Sequence, residues 1–254
     1  MRWEAGLVAV GERRLFLVHD PDPEAASRPV ALLLHGALGN HSLLLPSAAE
    51  FAPSFHVVIA DLPGHGRSSP SLDASVAGIA ADLAAVAGGM ASRPLYLIGE
   101  SFGGLVALAM APSLPKLAGV VLVDPPFTTA KQWHVAQACR SLMDQGPSPF
   151  LRRFCEEALG FGPDGAVIDD LVYYGLLDQV SAPMLVITGT ERLGLPRPLQ
   201  RVPCCVDETD LFVLGRLYAD KVKVHREAGA DHILLRRQPA RCLELMREHL
   251  GLAS

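Results

Sequence analysis

Alternation of apolar strand-like runs with helical segments predicts an α/β protein with a mostly parallel, eight-stranded sheet covered by helices on both faces. Three observations carry this expectation. Val30 to Leu34 and Ala118 to Val123 are wholly apolar runs of strand length, as expected of strands buried on two faces. Ala-rich amphipathic stretches separate the runs. The residues able to do chemistry (His35, Asp61, Ser101, Asp124, Glu191 and His232) fall at or just past predicted strand C-termini, where open α/β sheets bind ligands.

In chain order, Leu7 to Val10 and Arg14 to His19, separated by Gly11-Glu12, read as an antiparallel hairpin that opens the sheet. Val30 to Leu34 is the third strand, followed by a helix near Leu43 to Phe51. His56 to Ala60 is the fourth strand, and Asp73 to Met90 a helix. Leu95 to Gly99 is a strand and Ser101 to Met110 its helix; Ala118 to Val123 is a strand stopped by Pro125-Pro126. Met184 to Thr188 and Lys221 to Glu227 complete the sheet, with helices at Asp207 to Tyr218 and Pro239 to Leu250. The strand–helix rhythm breaks between residues 127 and 175, a stretch too long for an ordinary connection. It reads as a helical cap inserted in a core made of residues 1–126 and 176–254.

The chain has 254 residues, a net charge of −5 and no basic cluster, so a nucleic-acid partner is not expected. No apolar run is long enough for a membrane span, and the N-terminus lacks a signal-peptide apolar core. A cytoplasmic protein acting on a small molecule is the expectation. The five cysteines, an odd number, show neither a disulfide framework nor zinc-ligand spacing. The adjacent pair Cys204-Cys205 reads as two small apolar loop residues.

The most informative stretch is Gly99-Glu100-Ser101-Phe102-Gly103. It is a G-x-S-x-G pattern between a strand and a helix, where a sharp turn exposes the central hydroxyl at a helix N-terminus. A Ser hydroxyl is a weak nucleophile at neutral pH and needs a base, itself oriented by an acid. His232, in the loop between the last strand and last helix, is the candidate base, whereas His225 and His249 sit in regular elements. Backbone N–H groups are needed for a developing oxyanion. Phe102 follows the Ser and is one candidate donor; Ala37, in the loop after Leu34, is the other.

His35-Gly36, Asp61-Leu62-Pro63-Gly64-His65-Gly66-Arg67-Ser68, the Ser101 pattern and Asp231-His232 occur in this order. Together they resemble the α/β-hydrolase fold superfamily, in particular its small, capped, cofactor-independent serine hydrolases. The resemblance runs from about Val30 to Leu250. It implies Ser101 as nucleophile, His232 as base, an oxyanion hole at Ala37 and Phe102, a lid at 127–175, and no cofactor or metal. It also implies a structural role for the Asp61–Ser68 loop, His65 and Arg67 included.

The acid departs from the family pattern. After Met184–Thr188 similar proteins carry Gly-x-x-Asp; here Gly189-Thr190-Glu191 is followed by Arg192, with Pro196 in register beyond it. Asp124 is the favoured replacement, since some family members place their acid at that strand end. Glu191 is the second candidate. Asp207 is the third, although Asp207 and Asp210 also read as helix caps. A missing acid is the remaining option. The expected function is hydrolysis of a small-molecule carboxylic ester, thioester or lactone through a Ser101 acyl-enzyme. C–C bond hydrolase, lyase or cyclase chemistry on the same scaffold is the alternative. A catalytically impaired binding member is a further one, prompted by Arg192. The cap aromatics predict either an apolar pocket or simple packing. Arg140, Arg152 and Arg153 are either contacts for an anionic substrate group or solvated.

Overall fold

The computed structural model describes residues 3–114, 116–192 and 201–252. The expected position of Pro196 lies outside them. Eight strands form one sheet in the order β1-β2-β4-β3-β5-β6-β7-β8. They are β1 (Glu4–Val10), β2 (Arg13–His19), β3 (Val30–Leu34), β4 (His56–Ala60), β5 (Leu95–Glu100), β6 (Leu117–Val123), β7 (Met184–Gly189) and β8 (Val222–Glu227). β1 and β2 form the antiparallel hairpin, and β2 runs antiparallel to β4. The remaining neighbours are all parallel.

The two-residue side-chain period of a strand explains why the central strands are apolar throughout. In β3, Val30, Leu32 and Leu34 enter one core and Ala31 and Leu33 the other. The first core is covered by α2 (Val76–Ala87), α3 (Phe102–Met110) and α6 (Glu208–Leu217). The second is covered by α1 (Leu45–Phe51), the short α7 (Leu234–Arg237) and α8 (Pro239–Leu250).

Helix termini sit close to the expected positions, with differences set by capping. The helix expected from Asp73 starts at Val76 because Ser75 caps it, its hydroxyl accepting from the Gly78 N–H. Asp207 and Asp210 form a reciprocal capping box that starts α6. α7 follows His232 so closely that no apolar period marks it in the sequence.

Between β6 and β7 lie α4 (Trp133–Asp144) and α5 (Pro149–Glu157). Their aromatic residues mostly pack against the core. Phe154 meets the rings of Phe102 and His65 edge-on, each at 4.9 Å between centroids. Phe150 is also buried, whereas Trp133 is 42 % exposed. Arg140, Arg152 and Arg153 are all exposed, and Arg153 pairs with Glu157 one turn along its own helix.

Candidate active site

The strand register brings the candidate residues to one edge of the sheet. Leu34 pairs with Gly99, and Glu100 with Val123. The Ser101 N–H donates to the Val123 carbonyl at 2.8 Å, and the Asp124 N–H to the Ile187 carbonyl at 2.8 Å. The chains leaving β3, β5 and β6 therefore start their loops side by side.

Among the described residues, three other than glycine have positive φ, and all lie in those loops: Leu38 (59°), Ser101 (55°) and Asp124 (50°). Backbone strain of this kind costs of order 1–3 kcal/mol per residue and clusters at functional sites. At Ser101 the surrounding glycines make the turn possible. A Cβ on Gly99 would lie 2.2 Å from the Gly103 carbonyl oxygen, and one on Gly103 would lie 2.4 Å from that of Leu34. Neither backbone oxygen can move aside. Ser101 directly precedes α3, and Phe102, the first residue of that helix, has an N–H with no intrahelical acceptor.

The His35–Asn40 loop is pinned by His35. Burial, assisted by the neighbouring His65, lowers its pKa to about 4, so the ring is neutral. Its Nδ1–H donates to the Gly36 carbonyl at 2.8 Å, and its Nε2 accepts from the Leu62 N–H at 3.1 Å. Gly36 lies against Ser101: a Cβ there would be 3.2 Å from the Ser101 Cβ. The Asp61–Ser68 loop closes on itself. Asp61 accepts from the backbone N–H groups of His41 and Arg67, and Arg67 stacks 4.2 Å over the Phe16 ring.

Of the three candidate acids, Asp124 is the one hydrogen-bonded to His232. His232 Nδ1 lies 2.6 Å from Asp124 Oδ2. The carboxylate is completely buried, and three further donors compensate it. The Thr188 hydroxyl donates to Oδ1 at 2.6 Å, the Val206 N–H to Oδ1 at 3.1 Å and the Cys205 N–H to Oδ2 at 2.7 Å. Asp207 instead caps α6 and pairs with Lys131 at 3.0 Å. At the end of β7, the Glu191 N–H is tied to the Ala230 carbonyl, and Arg192 Nη1 donates to the carbonyls of Gly189 and Glu191.

Sequence reasoning missed Thr188, Cys205 and Val206. Thr188 stands at a strand end, a position that could have drawn attention to it. The two amides belong to a loop with no pattern, and only folding brings them to Asp124. Cys205 Sγ also lies 3.5 Å from His232 Nδ1. Burial alone lowers the His232 pKa; the Asp124 carboxyl hydrogen-bonded at Nδ1 opposes it, and the group is held above the usual imidazole value. Burial raises the Cys205 thiol.

Asp124, Cys205 and His232 also form the one group of potential metal ligands among the described residues. Two N/O ligands on one tetrahedral zinc stand about 3.4 Å apart. The 2.6 Å between Nδ1 and Oδ2 is the separation of a direct hydrogen bond.

Ser101 and His232 line one open cleft of about 220 Å³. Its walls include Ala37, Leu38, Leu43, Val135 and Ile233, with Glu100, His134 and Arg236 as polar members. A second, small space of about 10 Å³ is lined by Ser101 together with Ala37, Phe102, Leu159 and Phe161. No helix among the described residues is long and apolar enough to cross a membrane.

Comparison with known proteins agrees with this architecture. A pimeloyl-[acyl-carrier protein] methyl ester esterase of Chromobacterium violaceum is 33 % identical over 159 residues, which is 61 % of this chain and 55 % of that protein. A protein of the same description from Xanthomonas oryzae pv. oryzae is 32 % identical over 108 residues, 41 % of each chain. The chain thus spans between about two fifths and just over half of the length of these curated relatives. Among solved structures, E-2-(acetamidomethylene)succinate hydrolase superposes with a TM-score of 0.72 at 19 % identity, covering 98 % of this chain and 100 % of that one. Carboxylesterase CesB of Bacillus subtilis gives 0.71 at 15 % identity, covering 100 % and 93 %. At these identities the superpositions speak for the fold alone. The family model for the alpha/beta hydrolase family matches residues 31–245, a span holding the parallel strands from the second residue of β3 onward and the Ser101, Asp124 and His232 loops, and the chain belongs to that family.

Proposed function

We propose that this protein is a serine hydrolase of small-molecule carboxylic esters or thioesters, with Ser101 as nucleophile, His232 as base and Asp124 as acid. The observation that carries the reading is the 2.6 Å contact between His232 Nδ1 and a buried, fully compensated Asp124, with His232 and Ser101 on one cleft. With Nδ1–H donated to Asp124, the free lone pair is on Nε2, the atom that takes the Ser101 proton as Oγ attacks the ester carbonyl. Asp124 stabilises the imidazolium that forms. The N–H groups of Ala37 and Phe102 receive the oxyanion, a role in which loss of one donor typically costs about 2.7–4 kcal/mol. The protonated His232 then delivers its proton to the leaving alcohol or thiol, and water repeats the sequence on the acyl-enzyme.

Residues 127–175 act as a cap on a core of residues 1–126 and 176–254. α4 supplies His134, Val135 and Ala138 to the cleft wall, which limits access to Ser101. The esterase names of the curated relatives favour ester substrates over C–C bond chemistry. The impaired-binder alternative rested on Arg192, and it loses its motive once Asp124 takes the acid's place.

A fluorophosphonate probe tests the proposal. Folded protein is expected to be labelled at Ser101, with labelling abolished in Ser101→Ala and a panel of activated esters turned over by the unsubstituted protein alone. Absence of both labelling and turnover in correctly folded protein overturns it.

A further inference from the structure

Glu100 occupies the variable position directly before Ser101. It is an acidic side chain only 1 % exposed, a location that demands a partner. That partner is Arg236, whose Nε lies 2.8 Å from Oε2 and 3.2 Å from Oε1. Arg236 lies four residues after His232, on α7. The ion pair therefore joins the residue before the nucleophile to the segment that carries the base.

The other attachments of that segment lead elsewhere. The His232 N–H donates to the Val202 carbonyl at 3.0 Å, and Asp231 accepts from the Val202 N–H and from Arg237. The Leu235 carbonyl accepts from the Ser47 hydroxyl of α1 at 2.9 Å. These contacts fix the loop to the 201–206 segment and to α1. Asp124 holds the far side of the imidazole. The Glu100–Arg236 pair is the side-chain link, among the described residues, between the histidine segment and the β5–α3 turn.

We propose that Glu100 and Arg236 are positioning residues: their partly buried ion pair sets the distance between Ser101 Oγ and His232 Nε2, and the Glu100 charge stabilises the imidazolium formed during turnover. The inference rests on the serine-hydrolase reading above. Reactive groups misplaced by about 1 Å can lose 10²-fold in rate, so a tether at this point controls kcat. The groups facing His232 are Asp124 and Cys205 at Nδ1, the His134 ring from α4 at 6.3 Å between centroids, Glu100 from β5 and Arg236 from α7. Glu100 is the one whose removal takes away a negative charge without touching the Asp124 contact. Burial raises the Glu100 pKa, and Arg236 and then His232 oppose that rise without cancelling it.

The test compares Glu100→Gln, Arg236→Gln and Arg236→Lys with the unsubstituted protein, using a neutral activated ester and recording thermal unfolding alongside. Turnover and fluorophosphonate labelling of the unsubstituted protein report on the serine-hydrolase reading separately. For Glu100→Gln and Arg236→Gln, kcat is expected to fall by about 10- to 100-fold with KM within about threefold. Arg236→Lys recovers most of the kcat. The acidic limb of the kcat/KM profile moves to lower pH by about half a unit in Glu100→Gln, because a neutral neighbour no longer favours imidazolium; it does not move down in Arg236→Gln. If Glu100→Gln fails to fold, the two Arg236 variants decide by the kcat–KM split and the lysine rescue. The proposal is overturned by unchanged kcat in the folded variants, by a KM increase at constant kcat (a substrate contact), or by equal losses in Arg236→Gln and Arg236→Lys with an unmoved acidic limb (a purely structural role).

Discussion

The ends of β6 and β7 lie side by side in one sheet, and each carries carboxylates, yet they make opposite environments. At the end of β6, Asp124 is wholly buried, has positive φ and receives hydrogen bonds from a hydroxyl, two backbone amides and an imidazole. Past the end of β7, the Thr190–Arg192 turn is partly open to solvent and held by its backbone, through the Glu191 N–H and the carbonyls of Gly189 and Glu191. A carboxylate is made useful by the donors around it more than by its place in a motif. Four directed donors satisfy the Asp124 carboxyl and fix it inside the protein, where an unpartnered polar group would be costly.

Substitution at the two strand ends gives the sharpest contrast. Asp124→Asn is expected to lower kcat about 10⁴-fold, because the amide no longer selects the Nδ1–H tautomer or stabilises imidazolium. Steady-state rates on one activated ester measure it, and a loss below tenfold would remove the distinction between the ends. Thr188→Val comes next: it deletes a charge-assisted hydrogen bond worth about 1.5–3 kcal/mol, and a kcat loss of about tenfold is expected with KM little changed. Val206 and Cys205 still hold the carboxylate in that variant, which is why the effect is smaller.

The third prediction concerns pH. In the proposed mechanism His232 acts as base in its neutral form, and its pKa is held above the ordinary imidazole value of 6.5. Activity is therefore expected to fall on acidification from a point above that value, as His232 takes up a proton while still bonded to Asp124. An acidic limb of kcat/KM below 6.5 would show that burial, rather than Asp124, dominates at the ring. The smallest effects belong to β7: Glu191→Gln and Arg192→Gln are each expected to stay within about twofold in kcat. A large loss in Glu191→Gln would move the acid to the end where the family pattern expects it.

Much of this molecule was legible in the chain. Wholly apolar runs of this length are expected of strands buried on both faces, and β3 and β6 fall within a residue of their expected bounds for that reason. Gly99 and Gly103 mark the Ser101 turn because a side chain there collides with backbone, a constraint local enough to be written in five residues. α7 was not legible, since four residues show no period. The Arg140, Arg152 and Arg153 contacts were left open, and the structure leaves all three exposed; the arginine at the cleft is Arg236.

By itself, then, the sequence determined the sheet, the strained Ser101 turn and the histidine loop, each of which depends on local backbone geometry and hydrophobic period. It named Asp124, Glu191 and Asp207 as carboxylates without ranking them by contact. Only the tertiary structure decided which of them meets His232, because the donors that make Asp124 tolerable when buried come from Thr188, Cys205 and Val206, 64 to 82 residues away along the chain. The same holds for Glu100 and Arg236, 136 residues apart, whose pairing is a consequence of β5 and α7 ending at the same edge of the sheet.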